Sequence, residues 1–390
     1  MKADFLTQTL NNLQEKGLKR RLRAVEGAQS ATITLNGKEA LNLCSNNYLG
    51  LADDPRLSQA AVDVIAKEGF GSGASRLVCG NMKSHIALEK RLAEFKGTEA
   101  ALVFSTGYMA NVGVISGLFG RDDVIFTDKL NHASIIDGIL LSGAEYKRYA
   151  HNDIHALEDF LKKDTSKGKR AIITDSVFSM DGDLAPLEKI VSLAQKHDCL
   201  VMIDEAHGFG VFGKNGKGLA EHFGLENKID IQMGTLSKAA GSFGAYVCGS
   251  QALIDVLINK ARSFIYTTAM PPAVAAASLA AVEIIAGEPH RRKKLWSNTK
   301  FMKDGLKNLG FDTMNSQSPI IPILVKDSQK ALEFSKKLLD AGIFVQAIRP
   351  PTVPQNTARL RVTVMATHTP KDLKSALEKF GKIGKELCLI

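Results

Sequence analysis

Short, predominantly apolar runs that each lead into a polar or glycine-rich turn constrain this chain more than any other feature. They fall at residues 101–104, 124–128, 170–177, 200–204, 229–233 and 244–249, and stretches of helical apolar spacing lie between them. A strand that is apolar on both faces must be covered on both faces, and parallel sheets achieve this with crossover helices. The pattern therefore predicts an α/β architecture around a mostly parallel sheet. In such sheets ligands sit outside the carboxyl ends of the strands.

Two of those ends carry chemistry. Leu200-Val201-Met202-Ile203-Asp204 delivers a carboxylate, followed by Glu205-Ala206-His207-Gly208. The run at 229–233 leads into Gly234-Thr235-Leu236-Ser237-Lys238-Ala239-Ala240-Gly241, which places a lysine among hydroxyls and small residues. Alone, Asp204 reads as a turn cap and Lys238 as a surface lysine. Together they meet the two demands of pyridoxal 5'-phosphate, an amine to bond its aldehyde and an acid to keep its ring nitrogen protonated. Ser237 and Thr235 could then bind phosphate oxygens, and His207 could donate to the ring hydroxyl. Ser105-Thr106-Gly107-Tyr108 hands a strand over to a helix, and backbone amides at a helix start bind phosphate without a charged side chain. Gly107 and Tyr108 are therefore assigned to the cofactor phosphate.

Asp204-Glu205-Ala206-His207-Gly208 with Thr235-Leu236-Ser237-Lys238 resembles the aspartate-aminotransferase-type fold of pyridoxal phosphate enzymes. Within it, the chain from about residue 21 to 368 resembles the α-oxoamine synthases, which condense an amino acid with an acyl thioester and lose carbon dioxide. The resemblance implies a mixed, mostly parallel seven-stranded sheet flanked by helices, with a smaller α+β C-terminal domain. The expected division is an N-terminal helix and hairpin over 1–50, a cofactor domain over 51–285 and a small domain over 286–390.

The resemblance also implies roles for single residues. His132, in Asn131-His132-Ala133-Ser134, would stack on the cofactor ring and contact substrate, and Ser179 would reach the cofactor from its strand end. Arg21, Asn47, Arg349, Thr352 and Arg361 would contact substrate. Arg361 is the choice for the amino acid's carboxylate, because a guanidinium fork binds both oxygens. Lys238, His132, Asp204 and His207 form the expected catalytic set. Gly71-Ser72-Gly73 through Arg76-Leu77-Val78-Cys79-Gly80, with His85, resembles the loop lining the acyl thioester site; a plain connection is the simpler alternative. Its glycine pattern follows a helix and not a strand, which fails the context test for a dinucleotide fingerprint. Thr267 or Thr268 would reach the phosphate of a neighbouring subunit, making a homodimer with shared active sites. The runs Arg76-Leu77-Val78-Cys79-Gly80-Asn81 and Ile348-Arg349-Pro350-Pro351-Thr352-Val353-Pro354 favour the branch that joins L-alanine to a pimeloyl thioester on coenzyme A or a carrier protein. The alternative branch joins glycine to acetyl-CoA.

Local patterns complete the reading. Apolar residues at 5, 6, 10 and 13 predict an amphipathic helix within 5–25 that covers the main body. Asn36-Gly37 predicts a hairpin within 32–43, and Asp54-Pro55 the cap and first residue of a helix. A long helical region is expected over 273–309, then strands at 320–325, 343–347 and 359–364. Asn356 stands where many members of the family have glycine, and asparagine tolerates the left-handed backbone such a turn needs.

Composition narrows the partners. Five scattered cysteines with no Cys-x-x-Cys pair argue against a disulfide framework or a zinc site, and for a reducing compartment. With no apolar run of membrane length and no signal-peptide pattern, the expectation is a cytoplasmic protein. A net charge of +9 suits an anionic partner. No nucleic-acid module is recognised and aromatic content is 6%, so nucleic acid is not expected; an acyl thioester on a phosphorylated carrier explains the charge as well, and a generic basic surface accounts for most of the lysines.

Overall fold

The structure, a computed structural model, describes residues 4–15, 18–20 and 22–390. Its centre is a seven-stranded sheet built from β4 (Ala100–Phe104), β5 (Val124–Asp128), β6 (Glu145–Tyr149), β7 (Arg170–Asp175), β8 (Leu200–Asp204), β9 (Ile231–Thr235) and β10 (Ala245–Gly249). The spatial order is β4-β10-β9-β8-β7-β5-β6. β9, β8, β7, β5 and β6 pair in parallel, and β10 is antiparallel to both of its neighbours. Six strands thus run one way and one is reversed, as the mixed, mostly parallel reading requires.

Alternation along each strand divides the core into two layers. Val124, Phe126, Ile172, Val201 and Ile203 belong to one cluster, and Ile125, Ala171, Ile173 and Met202 to the other. A period of two sends successive side chains to opposite faces, and each face is roofed by helices. Every residue of β5 is buried, which explains why the strands read as continuous apolar runs.

The N-terminal hairpin forms from β2 (Thr32–Leu35) and β3 (Lys38–Asn42), with Asn36 and Gly37 both at positive φ (51° and 74°) as its two-residue turn demands. It belongs to a four-stranded sheet, with β1 (Val25–Glu26) on one side and the C-terminal β12 (Ile343–Phe344) parallel to β3 on the other. A separate antiparallel sheet holds β11 (Ile320–Lys326), β14 (Ala358–Thr363) and β13 (Gln346–Ile348). The single strand expected over 343–347 is therefore corrected to two strands in two sheets, hinged at the buried Val345. Its apolar pattern fixes only that it is covered, and says nothing of a change of partner halfway along.

Two helical expectations also change. The long region is broken into Pro272–Gly287 and Pro289–Asn308, bent by 76°. Gly287 and Pro289 flank Glu288, and the residue before a proline is disfavoured in the helical region. Among the described residues no single helix is long and apolar enough to cross a membrane. The N-terminal helix spans Asp4–Glu15 and buries none of its residues. Phe5, Leu6, Leu10 and Leu13 stay exposed, so within one copy of the chain this stripe does not cover the main body as the sequence suggested. The helix Pro55–Glu68 starts as expected, with Asp54 accepting from the Arg56 N–H at 3.1 Å.

A charged clamp ties together the loops at the carboxyl ends of β5, β6 and β7. His151 Nδ1 lies 3.0 Å from Asp128 Oδ1 and its Nε2 2.7 Å from Asp183 Oδ2. Burial opposes charge on this ring, but the two carboxylates outweigh it and hold the imidazole up at about 10. The raised value fixes the sign of the pH effect. The clamp stabilises the fold fully below the ordinary histidine value near 6.5 and loses that contribution as pH rises through about 10. Chemical denaturation of the parent between pH 6 and 10.5 is expected to show a declining stability that His151→Gln lacks. At pH 7 the variant should be less stable by about 2 kcal/mol.

Candidate active site

Two neighbouring strand ends and one tight turn bring the key groups together. Asp204 closes β8 and is 4% exposed; its Oδ1 accepts the Ala206 N–H and its Oδ2 the Asn111 side-chain amide, both at 2.8 Å. Lys238 follows β9 in a turn closed by the Gly241 N–H to the Lys238 carbonyl and the Ser242 N–H to the Leu236 carbonyl, each 2.9 Å. Gly241 sits at φ +63°, where a Cβ would collide with the backbone of Leu51 and Ala52, so only glycine fits this turn. Burial pushes the half-buried Lys238 amine down to about 8 against the opposing pull of Asp204 and Asp175. An appreciable fraction is then uncharged near neutral pH and able to attack a carbonyl.

His132 and His207 are held beside this pair. The His132 N–H donates to Asp175 Oδ2 at 2.7 Å, and burial lowers the imidazole's affinity for a proton. His207 Nδ1 lies 2.7 Å from the Tyr48 hydroxyl, and burial, helped by the charges of Lys238 and Arg361, holds it neutral. Arg361, on β14 of the smaller sheet, crosses over: its Nε donates to the Ser179 carbonyl at 2.6 Å and one terminal nitrogen to Asn46 Oδ1 at 3.1 Å. Ser179 is thereby anchored through its backbone. Next to it, Arg359 pairs with Asp181.

Residues expected to hold the phosphate lie close together. Gly107 begins the helix Gly107–Leu118, and a Cβ there would come within 2.7 Å of Thr235 Cγ2. Thr235 Oγ1 is buried and has no hydrogen-bond partner among the described residues. A helix start with free backbone N–H groups beside an unpaired buried hydroxyl is a site built for an anion. With the amine of Lys238 and the carboxylate of Asp204 in the same cluster, these residues fit pyridoxal phosphate. Ser237, in the same turn, is exposed, and the Tyr108 ring is half exposed with its hydroxyl donating to Asp137.

Other expected residues are placed differently. Asn47 is committed to backbone, accepting from the N–H groups of Leu51 (2.8 Å) and Ala52 (3.2 Å) and donating to the Gln29 carbonyl. Its neighbour Asn46 makes the side-chain contact to Arg361. Thr352 is exposed and accepts from Arg20 at 3.4 Å, on the same segment as the half-buried Arg349. Asn356 takes φ +60°, the left-handed turn anticipated for it. Arg21 lies outside the described residues. His85 is fully buried, with its Nε2 2.8 Å from the Met270 carbonyl and its Nδ1 accepting from the Met82 N–H, so it braces the glycine-rich loop from behind.

Sequence reasoning passed over Asn111, Ser134, Asn46, Tyr48 and Asp175. Of these only Asp175 left a signal, as a carboxylate at the end of an apolar strand; it stands opposite Asp204 in the β7–β8 register. Burial and the Asp204 charge push the Asp175 carboxyl well above the usual range.

Comparison with known proteins was then decisive. The model of the class I and II aminotransferases matches residues 38–380. The chain is 52% identical to the 8-amino-7-oxononanoate synthase of Geobacter sulfurreducens, covering 98% of each, and 51% identical to that of Symbiobacterium thermophilum, covering 100% of this chain and 99% of the relative. The chain belongs to the 8-amino-7-oxononanoate synthase family. A solved family member from Francisella tularensis is 33% identical with a TM-score of 0.77, covering 89% of this chain and 98% of that one. The fold is also similar to a serine palmitoyltransferase from S. paucimobilis solved with bound pyridoxal phosphate and myriocin, at 34% identity and TM-score 0.94 over 100% of this chain and 99% of the other. Half of all positions shared with two full-length 8-amino-7-oxononanoate synthases favours that branch of the α-oxoamine synthases over the one that uses glycine and acetyl-CoA.

Proposed function

We propose that this chain catalyses the decarboxylative condensation of L-alanine with a pimeloyl thioester to give 8-amino-7-oxononanoate, carbon dioxide and the free thiol, a step of biotin synthesis. The reading rests on one observation: the Lys238 amine, the Asp204 carboxylate and the Gly107–Thr235 anion cradle converge at the strand ends. When bound there, pyridoxal phosphate supplies an electron sink for the carbanion at the amino acid's α-carbon.

The chain's own groups do the rest. Lys238 would hold the cofactor through its aldehyde, and its amine would take the amino acid's α-proton and return it. Asp204, fixed by two donors, would face the ring nitrogen, and His132 would cover the ring face. His207 is set to donate toward the ring hydroxyl. The Gly107 and Tyr108 amides, Thr235 Oγ1 and Ser237 would seat the phosphate. Arg361, reaching from the smaller sheet, would take the alanine carboxylate, with Arg349 and Thr352 beside the substrate; Asn47 and Arg21 are kept as substrate contacts on the resemblance alone.

The proposed working form is a cytoplasmic homodimer. The loop at 69–80 is tied to the segment at 264–270 through the Ser72 hydroxyl on the Met270 carbonyl and the Ala269 N–H on the Ala74 carbonyl. Phe70, Val78 and Tyr266 stand more than 70% exposed on these two segments, an unusual cost for a surface that stays in water. Covering them with a second copy would bring Thr267 or Thr268 toward the partner's phosphate, and the net positive charge suits an acyl donor on coenzyme A or on an acidic carrier.

Mass analysis of products tests the activity. Purified protein with pyridoxal phosphate, given alanine or glycine with pimeloyl or acetyl thioester, is expected to form 8-amino-7-oxononanoate fastest from alanine and the pimeloyl donor. A preference for glycine with acetyl-CoA overturns this reading.

A further inference from the structure

Asn111 lies in the middle of the helix Gly107–Leu118, 1% exposed, where a leucine would pack without leaving polar atoms behind. Its carbonyl oxygen is buried with no partner among the described residues. An unpaired buried acceptor costs about 1–3 kcal/mol, so the side chain is not there for stability alone. Its amide nitrogen is fully used. One hydrogen bond goes to Asp204 Oδ2 at 2.8 Å and one to Ser134 Oγ at 2.9 Å.

The direction of this chain of bonds follows from its first member. A carboxylate oxygen only accepts, so the Asn111 nitrogen, and not its oxygen, must face Asp204. The second amide hydrogen then points at Ser134 Oγ, which turns its own hydrogen to His132 Nδ1, 2.7 Å away. The Ser134 N–H points at the same ring nitrogen from 3.3 Å, because His132 caps the helix Ala133–Ser142. With two donors aimed at it, Nδ1 carries no proton, and the neutral ring holds its hydrogen on Nε2.

We infer that Asn111, through Ser134, is a positioning residue that locks His132 in its Nε2–H tautomer and fixes the Asp204 carboxylate, coupling the two groups that flank the cofactor ring. This rests on the proposed function for its purpose, but the network is a property of the chain itself. Three elements meet in it, β8 through Asp204 and the two helices through Asn111 and Ser134. The two helices pack closely: a Cβ on Gly138 would sit 3.1 Å from the Asn111 backbone oxygen. Burial of His132 favours the same neutral ring.

The test reads the tautomer directly. In the full chain labelled with 15N-histidine, with and without pyridoxal phosphate, the His132 signals are identified by their loss in His132→Gln. In the parent at pH 7, Nδ1 is expected as an unprotonated nitrogen and Nε2 as a protonated one. Asn111→Leu and Ser134→Ala are expected to give a mixture of tautomers, and to lower kcat about 10- to 100-fold with KM for alanine within about twofold. Ser134→Ala removes a single oxygen, so it decides the matter even where Asn111→Leu fails to fold. A parent His132 protonated on Nδ1, or an unchanged His132 pattern in Ser134→Ala, overturns the proposal, even when activity falls. If the parent takes up no cofactor, the functional reading fails, while the tautomer measurement still decides the network.

Discussion

Lys238→Ala is expected to lower turnover by at least about a thousandfold and to abolish covalent retention of the cofactor. The size follows from the two duties that one amine would perform, bonding the aldehyde and carrying the α-proton. Both disappear with the same side chain, so no partial pathway remains. The Gly241 turn that holds Lys238 is built from backbone bonds and should survive the substitution. Borohydride reduction followed by intact mass measurement checks the first duty: the parent gains the mass of the reduced cofactor and the variant does not. Exchange of the α-proton of alanine for deuterium checks the second. A variant that turned over at the parent's rate would remove the chemical basis of the proposed function.

Asp204→Asn should cost about 100- to 1,000-fold in kcat, with a smaller loss of cofactor affinity. An amide of the same shape can still accept the Ala206 N–H, but it carries no charge to stabilise a protonated ring nitrogen. It also disturbs Asn111, whose amide donor now faces a group able to donate. The effect should therefore be seen in the absorbance titration of the bound cofactor as well as in rate. Asp175 does not substitute for the lost charge, because burial, the main cause that raises its carboxyl, remains in the variant. A variant with unchanged kcat and an unchanged titration would mean that the ring nitrogen is controlled from elsewhere.

Much of the site was legible because strand ends are legible. Asp204 and Lys238 each follow an apolar run by a fixed, short distance, so the strand pattern alone places them on one edge of the sheet. Gly107 is readable for the same reason, as the first residue of a helix entered from a buried strand. Arg361 was assigned from resemblance, and its route to the site is tertiary. It comes from a different sheet and is aimed by bonds to Ser179 and Asn46 that no spacing rule encodes. Asn111 was invisible, since an asparagine at a helical position looks like any polar residue until the neighbours are known. The N-terminal helix failed in the opposite way. Its amphipathic stripe is real, yet periodicity specifies that a face should be covered and does not say whether the same chain covers it.

Local rules determined the alternating strands and helices, the hairpin turn at Asn36-Gly37 and the cap at Asp54, because each depends on a few adjacent residues and their backbone preferences. They also determined that an amine and a carboxylate would each follow the end of an apolar strand. Only the tertiary structure decided that the segment at 343–348 divides between two sheets, that Arg361 reaches across to Ser179, and that Asn111 links Asp204 to Ser134 and His132. Those outcomes depend on which distant surfaces close over one another, and contacts between residues far apart in the chain are settled by packing and by the need to pair buried polar groups.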